Sequence, residues 1–127
     1  MNFIVMMSMF FLITANATDF SGVYYKNGAT IEIVNKKSVI NKYGGREGDI
    51  EFYFKSGSCQ FSWDDFKQNI QGNKIAITDD QGYGPMKYVT VKFTKNGLNV
   101  EMTEKIVTDY QCYSGTEKTL SGAYKKK

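Results

Sequence analysis

Ile50, Phe52 and Phe54 alternate with Glu51, Tyr53 and Lys55. A period of two, with one set apolar and the other polar, is the pattern of a strand packed on one face and wet on the other. Short runs of this kind recur along the chain between clusters of Gly, Asn, Asp and Ser. Asn27-Gly28 divides the run 21–34 and Asn96-Gly97 the run 88–104; Asn-Gly between β-rich segments favours a two-residue hairpin turn with positive φ at both positions. That register sets Tyr24 opposite Ile31 and Tyr25 opposite Thr30. In the second hairpin it sets Phe93 opposite Val100, Val91 opposite Met102, and Lys92 opposite Glu101, the last a charge pair across the strands.

Further strands are predicted over 37–42, from Cys59 onward, over 73–78 with Ile75 and Ile77 inward, over 106–112 as a strand or extended connection, and over 119–124, with the lysine run 125–127 mobile. Ser62-Trp63-Asp64-Asp65 has the form of a capping box, and Trp63, Phe66 and Ile70 share a helical face, which predicts one short helix over 63–70. Nothing resembles the long helices that a βαβ protein needs between its strands. The expected fold is therefore mostly β: an antiparallel small barrel of seven to nine strands, with a β-sandwich as the second choice.

The first seventeen residues, MNFIVMMSMFFLITANA, hold an apolar run over 3–13 and end in Ala15-Asn16-Ala17, the layout of a secretory signal peptide. An uncleaved anchor and a buried segment are the alternatives. As a helix, however, that run spans only about 16 Å, short of a hydrocarbon core of about 30 Å. The expected organisation is a signal peptide over 1–17 and one β domain over 18–127, in the periplasm or secreted, without stable membrane insertion once the signal is removed. Two cysteines, Cys59 and Cys112, would then meet an oxidising compartment and admit a single intramolecular pairing, against the alternative of two buried thiols.

Chemistry is sparse. The chain has no histidine, which removes the commonest near-neutral base and the usual zinc ligand. Asp64-Asp65 and Asp79-Asp80 are adjacent carboxylates, but the first pair suits a helix N-terminus and the second a turn. The Asp-rich loop 79–84 lacks the alternation and closing glutamate of a strong calcium loop. No enzymatic activity and no cofactor or metal is expected. Sixteen basic and thirteen acidic residues give a net charge of +3, too small and too mixed for a nucleic-acid surface. Nine tyrosines favour recognition of another macromolecule, since a phenol offers rigid area with a polar tip. Tyr83 sits in one of two Tyr/Gly loops, 43–48 and 79–87, suited to contact a protein partner.

Cys112-Tyr113-Ser114-Gly115 followed by Gly122-Ala123-Tyr124-Lys125, with Phe20-Ser21-Gly22-Val23-Tyr24 near the start, resembles small bacterial periplasmic β proteins that carry a near-terminal half-cystine. The layout is also similar to that of the exported lysozyme inhibitors, disulfide-bearing eight-stranded barrels in which a Ser-Gly loop and a tyrosine-bearing segment enter the lysozyme cleft. The resemblance implies a protein-binding inhibitor of a cell-wall hydrolase, or an immunity protein against a toxin. Ser114, Gly115, Lys118, Ser121 and Tyr124 are then its contact residues. The inhibitors' downstream tryptophan has no counterpart, since Trp63 lies far upstream. The competing expectation is a structural or adhesive envelope module.

Overall fold

A computed structural model of the chain describes residues 19–37, 39–79 and 87–127. The expected signal segment and Tyr83 lie outside the described residues. Eight strands, β1 (Gly22–Lys26), β2 (Ala29–Asn35), β3 (Ile50–Ser56), β4 (Cys59–Asp65), β5 (Lys74–Asp79), β6 (Lys87–Phe93), β7 (Gly97–Met102) and β8 (Gly122–Lys126), form one sheet in the order β4-β3-β2-β1-β8-β7-β6-β5. Every neighbouring pair is antiparallel. The sheet curls into a half-barrel whose edges are β4 and β5. Two short helices, α1 (Glu104–Asp109) and α2 (Thr116–Leu120), cover its apolar face. They do so with Val107 and Leu120, both fully buried.

Alternation builds the core as the sequence predicts. Ile50, Phe52 and Phe54 of β3 are buried against Ile31 and Ile33 of β2, while Tyr53 and Lys55 face outward. The first hairpin has the expected register, Tyr24 with Ile31 and Tyr25 with Thr30. Ile75 is buried and Ile77 half-buried.

The centre of the sheet repeats itself. β1 grows out of Phe20-Ser21-Gly22-Val23-Tyr24 and β8 out of Leu120-Ser121-Gly122-Ala123-Tyr124, and the two strands lie antiparallel. Gly22 and Gly122 both take positive φ, 138° and 118°. Each tyrosine is buried and donates its hydroxyl to the carbonyl four residues earlier: Tyr24 to Phe20 O at 2.7 Å, Tyr124 to Leu120 O at 2.6 Å. Lys126 stands over the Tyr24 ring and Lys26 over the Tyr124 ring, at 5.7 and 5.8 Å. Burial holds both phenols above their ordinary range. Phe20 stacks on Phe93 at 3.7 Å, and Asp19 accepts from Ser21 N–H and Asn35 Nδ2, bonds that hold its carboxyl down at about 2.

Several expectations are corrected. Residues 63–70 are not a helix: Trp63 lies in β4, and only Lys67–Asn69 turns, as a 3-10 helix. The i, i+3, i+7 spacing of Trp63, Phe66 and Ile70 coexists with a period-two set, Cys59, Phe61 and Trp63. Stacking of Trp63 on Phe52 at 4.7 Å and of Phe61 on Phe54 at 5.1 Å decides for the strand. The indole N–H of Trp63 is buried without an acceptor among the described residues. Among the described residues of 37–42 there is an isolated bridge between Ile40 and Arg46 rather than a strand, 106–109 belong to α1, and 119–124 are divided between α2 and β8. The lysine run is not a mobile tail, because Lys125 and Lys126 belong to β8, and Lys127 N–H reaches Val23 O at 2.8 Å.

The second hairpin is shifted by two residues, with Phe93 opposite Leu98, Val91 opposite Val100 and Lys92 opposite Asn99. A shift of two keeps every side chain on its face. Its cause is Gly97, which pairs with Lys125 of β8 instead of sitting in the turn. A Cβ there would fall 1.9 Å from Tyr124 O. Gly97→Ala should therefore disrupt the β7–β8 ladder and cost 3 kcal/mol or more, an estimate of about that order from overpacking. Gly57→Ala, at φ 59° with open space around it, should cost only about 1–2 kcal/mol. Urea midpoints of the two variants check the ordering.

Candidate functional site

One end of the sheet gathers the β1–β2 turn, the β3–β4 turn and both helices. Ser56 Oγ donates to Gly28 O at 2.9 Å. Lys26 Nζ donates to Thr119 O at 2.8 Å and to Ser121 O, satisfying carbonyls at the end of α2, where a cation also suits the helix polarity. Cys59, buried at the start of β4, is bonded to Cys112, which follows α1. That bond pins the helical segment to the sheet.

The end of α1 is shaped by its hydrogen bonds. Gln111 N–H donates to Thr108 O and Cys112 N–H to Val107 O, both at 2.9 Å. This is the Schellman pattern, in which the residue just past the helix takes a left-handed conformation and is usually glycine. Here it is Gln111, at φ 65°. Cys112 is held on one side by its amide and on the other by the disulfide, so the turn has little freedom. Tyr110 stacks on Phe61 at 4.5 Å, and Tyr113 projects with 86% of its surface exposed.

Below these two tyrosines lies a concavity of about 300 Å³, lined by Ser56, Ser58, Gln60, Gln111, Thr116 and Thr119 beside the disulfide. Its lining is hydroxyl and amide, with no charged side chain. Charges stand around it: Lys105 pairs with Asp109 at 3.0 Å, and Glu104 accepts the Ser114 hydroxyl.

The residues expected from the sequence are divided by the fold. Ser114 and Lys118 are exposed on this rim, and Gly115 begins α2 at φ 102°, its N–H donating to Glu117 Oε1 at 2.8 Å. Ser121 is half-buried, its Oγ accepting from Met102 N–H at 3.2 Å. Tyr124, at 3% exposure, is a core residue and not a contact residue, because its ring fills the seam between β1 and β8. Tyr110 and Tyr113 belong to the tyrosines that favour recognition in the sequence, but nothing there sets them apart from the other seven, and Gln111 is not marked at all; the signal is two tyrosines flanking a half-cystine, with a long polar residue between.

Comparison with protein-family models, curated proteins and solved structures finds no match to any of them.

Two outcomes follow for stability. Removing the disulfide, whose partners are 53 residues apart, should cost about 4 kcal/mol by chain entropy. Gln111→Gly should stabilise the oxidised protein by about 1 kcal/mol, because glycine adopts the left-handed conformation without strain. Denaturant titrations of oxidised, reduced and variant protein measure both.

Proposed function

We propose that the protein is an exported, non-catalytic binding module that inhibits a protein partner, a peptidoglycan hydrolase or a toxin, by seating the 110–118 rim on it. The supporting observation is Gln111, held left-handed between a helix end and a disulfide. Strain retained where glycine would relieve it accumulates at binding sites, and here it fixes the direction in which Tyr113 projects. A rigid, exposed tyrosine beside a hydroxyl-lined concavity binds with little ordering cost. The uncharged lining supplies hydrogen-bond donors and acceptors rather than an acid and base, consistent with occlusion of another protein's cleft. A periplasmic or secreted location agrees with the disulfide.

A structural or adhesive surface module is the second reading, favoured by the sheet edges at β4 and β5, along which copies can associate.

Immobilised oxidised protein, challenged with envelope hydrolases and secreted toxins, tests the first reading. Retention of an enzyme whose activity falls in proportion is expected. Tyr113→Ala should weaken that retention about thirtyfold, the effect of a central aromatic anchor, without moving the melting temperature. Retention unchanged by Tyr113→Ala and Lys118→Ala together would remove the rim from consideration and favour the module.

A further inference from the structure

At the opposite end of the sheet, the described residues 36–37 and 39–49 lie between β2 and β3 as a projection. Its base is fixed: Lys36 N–H donates to Asp49 O at 2.9 Å, Gly48 N–H to Asp64 Oδ2 at 3.1 Å, and Gly48 sits so close to the Asp65 backbone that a Cβ would fall 2.5 Å from its carbonyl oxygen. Its tip is fixed too. Ile40 bridges Arg46, Glu47 N–H donates to Val39 O, Asn41 N–H donates to Gly45 O, and the Asn41 side chain accepts from Tyr43 N–H at 2.9 Å and Gly45 N–H at 3.0 Å.

This ordered tip presents what a folded domain normally hides. Ile40 is 73% exposed and Tyr43 84%, with Val39 beside them. Cations flank the apolar residues: Lys37 and Lys42 are exposed, Lys42 lies 5.1 Å from the Tyr43 ring, and Arg46 stands over Phe66. No acidic residue occurs between Lys36 and Arg46. Lys95, in the β6–β7 turn, and Lys127, beyond β8, come to the same end of the sheet.

We propose that the 39–46 tip is a peripheral membrane contact that docks on a bilayer rich in anionic phospholipid. An aliphatic and a phenol side by side match the boundary between headgroups and acyl chains, where tyrosine is enriched. Lysines around them meet the negative surface potential, each worth about fivefold in binding. The site is independent of the 110–118 rim.

Sedimentation with zwitterionic vesicles, with and without phosphatidylglycerol, tests this on the oxidised protein. Binding to the anionic vesicles is expected, weakened about twenty-five-fold by Lys37→Gln with Lys42→Gln and at least tenfold by Ile40→Ser with Tyr43→Ser. Tyr113→Ala should leave it unchanged. A Tyr43→Trp variant should shift its emission to the blue on binding. Equal sedimentation of the wild type and the Ile40/Tyr43 variant would overturn the proposal, as would a dimer in ultracentrifugation that the same variant dissolves. All four changes are at exposed positions, and circular dichroism checks that the variants fold.

Discussion

The seam between β1 and β8 holds the two halves of the sheet together. On one side β1 to β4 form a meander; on the other β5 to β8 form a second, and among the described residues their ladder contact is this pair alone. Two copies of Ser-Gly-x-Tyr meet there head to tail, each burying a phenol that bonds back to its own chain and each covered by the other strand's lysine. Residues about a hundred positions apart must find each other before either half has a complete neighbour. Long-range pairing of this kind slows folding. Gly97 belongs to the same constraint, since only a residue without a Cβ lets β7 approach the Tyr124 carbonyl.

A curled sheet that does not close leaves its apolar face in need of a lid. The chain supplies one in α1 and α2, each too short to be stable alone. Val107 and Leu120 give the lid its burial, and the Cys59–Cys112 bond ties it to β4. The rim is thus carried on the chain between two core residues, Val107 before it and Leu120 after it, and the disulfide holds it between them.

The sequence was most legible where local pattern and tertiary demand agree. Alternation over 50–55 and the Asn27-Gly28 turn specified β3 and the first hairpin correctly, because nothing distant competes with them. The pairing of Cys59 with Cys112 also followed from the chain. At Asn96-Gly97 the same turn chemistry predicted the right strands and faces but the wrong register, because β8 claims Gly97 from outside the hairpin. Trp63 carried two periodicities at once, and only its stack on Phe52 separates them. Helix α1 has six residues, too few for a period of 3.6 to register. The candidate rim was half legible: Ser114 and Lys118 lie on it, but Tyr124, chosen for its place in a motif, proves to be structural. The repeated Ser-Gly-x-Tyr, visible in the letters alone, would have assigned it.

All eight strands run between the same two ends, and they are stiff. A strand of seven residues such as β3 spans about 20 Å, so the aromatic rim and the basic tip lie at opposite ends of the sheet with about that length of strand between them. The molecule consequently has a vertical axis. Anything that fastened the lower end to a surface would hold the upper end at a set height above it, facing outward, and would turn a freely tumbling domain into an oriented one.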